Sequence, residues 1–437
     1  SGDYGGGVYV SQGGIFTVSG KVNITGNKYK DNTVSNVYLY SGKTIQIVGA
    51  LDSTASIGVT TKNAVDLGEF ITVATGAEGS CTAGNFFADK GGDLDIKVEP
   101  GADANSVNVN LYNGLHDHPI CGGTCEDGAN HGEQTWTPVS SLDEITKEGN
   151  YYLTQSVEID TTWKPVDGVV LCLNGNYIEM TNDGDVITVN NGTKFALTNC
   201  VDQGAVMHSR SLVNGHGVVI RAGGTFSLYN AKICDNQSGD VSNDSVGAGV
   251  YVNGGTFQMY SGSISGNTAL RNGGGVCVDG DTGKFTMSGG TIEGNTSSGE
   301  NYGDGGGVYI NGGTFTMTGG SITNNISRNA GGGVCVWENA TAFTVGGNAK
   351  VTENKTSRGA ANDVYLYTGK SITINGKLDN TASIGVTCAG VATGKSVTVA
   401  TGAKDSCTES NFIANAGGAH FIKVEPGADA DRVNVNL

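Results

Sequence analysis

Residues 305 to 325 read GGGVYINGGTFTMTGGSITNN, and a version of this string returns about every 30 residues. Aligned on their phenylalanines, the segments KFALT, TFSLY, TFQMY, KFTMS, TFTMT and AFTVG place Phe195, Phe226, Phe257, Phe285, Phe315 and Phe343 at spacings of 31, 31, 28, 30 and 28 residues. A period in this range marks a repeat architecture, in which each unit buries its apolar face only by stacking on the next. Within a repeat, V-Y-I, T-F-T-M and S-I-T alternate with the period of two that belongs to strands. Gly-Gly or Asn-Gly between them is turn chemistry. The order of the three strands recurs instead of reversing, so hairpins are excluded and like strand stacks on like. The expected fold is all-β, a parallel β-helix with three short strands per coil of about 29 residues. Glycine accounts for 72 of the 437 residues, but proline for only 5, and 37% are apolar, which is too apolar for a disordered linker.

Alternation assigns the faces. Phe315 and Met317 point inward with Ile322, while Thr314 and Thr316 face outward. A preceding strand opens at Val250, Val276, Val308 and Val334, and the following one ends I/V-x-x-N, giving Asn236, Asn267, Asn295, Asn325 and Asn354. At a bend, stacked amides can hydrogen-bond from coil to coil and satisfy turn backbone. Asn236, Asn295, Asn325 and Asn354 also match N-x-S/T, and are read as ladder positions, together with Phe226, Phe257, Phe285, Phe315 and Phe343.

A longer period lies above this one. SNVYLYSGK recurs as ANDVYLYTGK, and KVEPGADANSVNVNL, ending at Leu111, recurs as KVEPGADADRVNVNL, ending at Leu437. Residues 1–111 thus read as the last coils and cap of a truncated β-helix unit, 112–150 as an inter-unit joint, and 151–437 as a complete β-helix with its own C-terminal cap. In the joint, Ser141-Leu142-Asp143-Glu144 matches a capping box and predicts a short helical N-terminal lid. A bare first coil exposes unpaired backbone, so a neighbouring unit or another copy of the chain is expected to cover the N-terminal end.

The joint holds the one dense set of metal-type donors, H-x-H-x2-C-x3-C-x5-H: His116, His118, Cys121, Cys125 and His131. Four of these five are able to form a tetrahedral zinc site. The other reading is a Cys121–Cys125 disulfide with solvated histidines. Most remaining cysteines read as small packing residues, since Cys277 and Cys335 take the place of Tyr251 and Tyr309 in neighbouring coils. Tyr251, Tyr309 and Tyr365, with Trp337 beside them, are expected to project from one outer sheet, as candidate platforms for sugar rings or as a covered or solvated row. Loops after the asparagines alternate between acidic (Asp240, Asp244, Glu300, Asp304) and basic (Arg271, Arg328, Arg358). They are expected to form a surface ion-pair ladder or a polar groove for a glycan.

The coil signature GGG[VI] with IxxN resembles the GGA[ILV] and FxxN repeats of the polymorphic membrane protein adhesins. The coils as a whole resemble the pectin-lyase-like superfamily, which implies a right-handed parallel β-helix, and large repetitive bacterial surface proteins, which implies adhesion. The rival class is a polysaccharide-degrading lyase or hydrolase. Gly215-His216-Gly217 resembles the G-H-G of polygalacturonases, but the N-T-D and D-D strings of that family are absent. A net charge of -17 argues against nucleic acid and anionic membrane as partners, and no apolar run is long enough for membrane insertion. The expectation is therefore a non-enzymatic stalk or fibre segment of an extracellular, cell-surface protein, with host or environmental glycans as candidate ligands.

Overall fold

The computed structural model describes residues 6–29, 33–64, 70–89, 94–101, 103, 105–113, 116–118, 120, 134–200, 204–209, 214–239, 245–389, 396–415, 422–427 and 432–437. The fold is a right-handed parallel β-helix of about 29 residues per coil. Contacts divide the chain into two compact units, Ser1–Asp117 and His118–Leu437.

In the second unit, the phenylalanine strands Thr225–Leu228, Thr256–Met259, Lys284–Met287 and Thr314–Met317 pair parallel with no register offset. Phe226 therefore faces Phe257, then Phe285, Phe315 and Phe343 in turn. Their rings stack at 5.4, 4.7, 4.4 and 5.1 Å between centroids. All five are buried, which contributes roughly 2–3 kcal/mol each in apolar burial. Valine strands stack in the same way, as Val250 on Val276, Val308, Val334 and Val364, and so do Ile264, Ile292 and Ile322. A one-residue slip would turn every apolar side chain outward, so a core buried on all sides fixes the register. The structure adds a fourth strand of two residues after each ladder asparagine, Gln237–Ser238, Thr268–Ala269, Thr296–Ser297, Ile326–Ser327 and Lys355–Thr356. Two residues are too few to show a period in the sequence.

The triple glycine has a physical cause. Gly305 sits at φ +63°, and its N–H, with those of Gly306 and Gly307, donates to carbonyls of the next coil at 2.9–3.0 Å. A Cβ on Gly307 would lie 2.7 Å from the Gly333 carbonyl. The hydrogen-bonded ladder thus continues through a bend where side chains have no room.

At the start of this unit the capping box forms: Ser141 Oγ accepts from the Asp143 N–H, and Glu144 Oε1 accepts from the Ser140 and Ser141 N–H groups. The expected helical lid does not form beyond one 3-10 turn, Leu142–Glu144. That turn still delivers Leu142 and Ile145 into the core, which is all that this end of the apolar column requires of it. At the far end the chain reverses: Thr398–Ala403 pairs antiparallel with Arg432–Asn436, which pairs antiparallel with Lys423–Pro426. The first unit ends in the same way, with Phe70–Ala77, Ser106–Asn113 and Leu94–Pro100. It has its own core around Val37, Ile45, Ile57 and Val109.

Candidate functional site

The ladder asparagines form one continuous hydrogen-bonded column. The Nδ2 of Asn236, Asn267, Asn295 and Asn325 each donates to the Oδ1 of the next asparagine at 2.9 Å. The backbone N–H of each donates to the same oxygen, and Nδ2 also donates to a strand carbonyl one coil back, Val206 for Asn236 and an isoleucine for the others, as Asn295 does with Ile264 at 2.9 Å. The five residues are at most 1% exposed, so the N-x-S/T matches among them are structural positions in the folded chain. The residue before each, Asp235, Gly266, Gly294, Asn324 or Glu353, has a φ of +55 to +67°, and this aims the amide inward.

Each column ends on a charge-capable group. At the N-terminal side, both ring nitrogens of buried His208 face oxygens, Asn236 Oδ1 at 2.8 Å and Gly184 O at 2.8 Å. At the other side, Asn354 donates through N and Nδ2 to Asp363 Oδ1 at 2.8 and 2.9 Å. The Asn415 side chain faces the same carboxylate over Gly385. In the first unit, Asn27 donates to Asn36 Oδ1, and Asn36 donates to Asp89. Aligning the two units places Asn36 on Asp363 and Asp89 on Asn415. The amide and the carboxylate have exchanged positions, and each closure keeps one of each. Burial raises the Asp363 carboxyl despite its hydrogen bonds.

The tyrosine row differs from an open platform. Tyr251 and Tyr309 are 7% and 5% exposed, and they pack with Val219, Val246, Cys277 and Cys335. Tyr251 also stacks on His216, 5.3 Å between centroids, and donates to Asp279 Oδ2 at 3.1 Å. The row is buried by its neighbours in adjacent coils and by Val246, just ahead of the Val250 strand. Trp337 and Tyr365 are partly buried on this cluster, and Trp337 stacks toward Tyr367 at 4.6 Å. Gly215-His216-Gly217 belongs to the same packing: His216 Nδ1 lies 2.6 Å from Asp185 Oδ1. Burial would raise the Asp185 carboxyl, but the His216 hydrogen bond and charge outweigh it and hold it below the usual range.

Alongside this row, a cleft of about 410 Å³ is lined by Arg271, Asn272, Asp279, Tyr302, Asp304 and Trp337, with Tyr309 and Asn311 among the rest. Burial pushes the Asp304 carboxyl up to about 6, even though the Ala330 N–H donates to it at 3.0 Å. Asp279 accepts from the Gly280 N–H and Asn311 Nδ2. The alternating charges do not form a regular ladder among the described residues. Arg328 reaches Glu300 at 3.8 Å on the surface, but Arg271 lies over the Tyr302 ring at 4.2 Å and Asp304 turns into the cleft. Asp240 and Asp244 lie outside the described residues. Asp279, Asn272 and Asn311 escaped the sequence reading because no motif marks them. Their one signal is that Asp279 ends one valine strand and Asn311 directly follows the next.

Of the joint's donors, Cys121, Cys125 and His131 lie outside the described residues, and His116 and His118 fall in a short strand, His116–His118. Among the described residues, no group of three or more His, Cys, Asp or Glu side chains is placed to hold a metal. Two cysteines from elsewhere do meet, Cys172 and Cys200, with their sulfurs 3.4 Å apart. No protein-family model, curated protein or solved structure matches the chain.

Proposed function

We propose that this chain is a structural and adhesive segment of a bacterial cell-surface protein built from tandem β-helical units, and that it binds glycans in the cleft beside Trp337. The stalk reading is carried by the zero-offset stack of identical side chains from Phe226 to Phe343. Such a column gains cohesion with every coil added and grows by repetition. Among the described residues, Val8–Val10, Phe16–Gly20 and Asn23–Ile24 lie at sheet edges, where a coil from a neighbouring unit or another copy would stack. No helix among the described residues is long and apolar enough to cross a membrane. The glycan reading is supported by the cleft's lining, in which aromatic faces stand beside carboxylates and amides, a combination that suits hydroxyl-rich rings. Antibody against residues 151–437 should label intact, unpermeabilised cells that make the protein, and labelling only after lysis would refute the surface assignment. On a panel of neutral and acidic oligosaccharides, Trp337→Ala should weaken binding at least about tenfold; no binding by the unaltered chain would refute the glycan site.

One observation favours a second reading, a glycan-cleaving enzyme. Asp304, held up to about 6, and Asp279 share the cleft, and two carboxyls in unlike environments are the requirement of acid–base glycoside hydrolysis. Release of reducing ends from a polysaccharide panel, lost in Asp304→Asn, would establish it; no release would leave binding as the cleft's role.

A further inference from the structure

We propose that Asp304 and Asn272 hold an uncharged sugar by a vicinal diol, with the Tyr309 hydroxyl as a third hydrogen-bonding group. This inference deepens the glycan reading of the cleft beside Trp337 and rests on it. The two side chains stand at stacked bends one coil apart, just ahead of the strands Val308–Ile310 and Val276–Asp279. The Gly273 N–H donates to the Asp304 carbonyl at 2.9 Å, and the Asp304 N–H donates to Asn272 Oδ1 at 3.0 Å. The Ala330 N–H, from the following coil, donates to Asp304 Oδ1 at 3.0 Å. Backbone thus fixes one oxygen of each side chain. What remains of each is Asp304 Oδ2 and Asn272 Nδ2.

Both residues line the cleft, and so does Tyr309. Asp304, Asn272 and Tyr309 are 8%, 7% and 5% exposed. Among the described residues, no hydrogen bond reaches Asp304 Oδ2, Asn272 Nδ2 or the Tyr309 hydroxyl. Three polar groups, each more than nine-tenths buried, therefore present an unmet hydrogen-bonding demand to whatever enters.

Their types define the ligand. Asp304 Oδ2 accepts, Asn272 Nδ2 donates, and the Tyr309 hydroxyl does both. An anion would set its charge against Asp304, and the cleft's cation, Arg271, lies over the Tyr302 ring at 4.2 Å. An ammonium, which only donates, would leave Asn272 Nδ2 unmatched, and an apolar ligand would leave all three. Hydroxyls donate and accept, so neighbouring hydroxyls of one sugar satisfy the carboxylate and the amide together, while the ring lies against Trp337. A hydroxyl donated to Asp304 also offsets the burial that pushes this carboxyl up to about 6.

The test uses the full chain against immobilised mannan, galactan and dextran. Each is offered intact and after periodate oxidation with borohydride reduction, which cleaves vicinal diols and leaves no charge. At least one intact polymer should bind, and its oxidised form at least about tenfold less tightly. Asp304→Asn keeps an oxygen for the Ala330 N–H but adds a second donor to Asn272 Nδ2. It should weaken binding at least about tenfold with no fall in the urea midpoint at pH 8. Tyr309→Phe, which keeps the ring, should weaken binding about threefold. Chitosan oligosaccharides and polygalacturonate, cationic and anionic, should bind less tightly than the neutral polymer. Equal binding of intact and oxidised polymer, unaltered affinity in Asp304→Asn, or tighter binding of either charged glycan would overturn the proposal while leaving a glycan site in place. No binding of any of these glycans would overturn the glycan reading itself, and this inference with it.

Discussion

Replacing Asn295 by alanine should be among the most damaging single changes available to this chain, although it alters no apolar contact. Its Nδ2 donates to Asn325 Oδ1 and to the Ile264 carbonyl, both at 2.9 Å. Its Oδ1 accepts from the backbone N–H and the Nδ2 of Asn267, at 3.0 and 2.9 Å. Removing the side chain leaves the Asn267 N–H and one Asn267 amide proton without partners, in a place with no solvent access, and takes one donor from the Ile264 carbonyl, which keeps its strand ladder. Asn325 Oδ1 keeps a donor, the Asn295 backbone N–H. At about 1–3 kcal/mol for each of the two orphaned donors, the loss comes to about 4 kcal/mol. Asn295→Asp should do no better, because it sets a second oxygen against Asn325 Oδ1 and the Ile264 carbonyl. Urea unfolding followed by circular dichroism reads the effect, with exposed Asn301→Ala as a control expected within about 0.5 kcal/mol of the unaltered chain. Because coils are held only by their neighbours, amides of Thr268 and Thr296 should also exchange faster with solvent while those near Val399 do not. A loss below about 1 kcal/mol, or exchange unchanged at the two threonines, would refute the claim that the amide column holds the coils together.

Other consequences follow from the same geometry. Asp363→Asn and Asn415→Asp should each destabilise, the second more because it pairs two buried carboxyls. The double exchange recreates the Asn36–Asp89 arrangement, so a double-mutant cycle should show a coupling of about 2 kcal/mol, and additivity would refute the equivalence. Burial moves Asp304 from 3.8 to about 6, so its contribution to stability is fully present below pH 3.8 and declines as pH rises through about 6. Asp304→Asn, which keeps an oxygen for the Ala330 N–H, should therefore stabilise the chain by roughly 3 kcal/mol at pH 8 and by little at pH 4. Equal effects at both pH values in thermal or urea unfolding would contradict the burial argument. Gly307→Ala should cost several kcal/mol, because its Cβ would meet the Gly333 carbonyl at 2.7 Å; an unchanged urea midpoint would show that the bend relaxes freely.

The sequence by itself determined the parallel β-helix, its coil length, the inward phenylalanines and the asparagine column. All of these follow from periodicities of two and about thirty residues, and periodicity is a property of the chain read in one dimension. It also located the two places where the repeat breaks, at the Ser141 capping box and at the recurring KVEPGADA segment, but not what happens there. One 3-10 turn was enough to close the column at Leu142, and a reversal into antiparallel strands closed it at Arg432–Asn436. What only the tertiary structure decided are relations between coils outside the repeated positions. Whether Tyr251 and Tyr309 stand open or covered depends on their packing with Val219, Val246, Cys277 and Cys335 from other coils. The exchange of amide and carboxylate between Asn36–Asp89 and Asp363–Asn415 joins residues more than fifty positions apart, by arithmetic no local pattern records. Cys172 and Cys200 show the same limit: the sequence reads them as small packing residues, and only the in-register stacking of two coils sets one sulfur against the other.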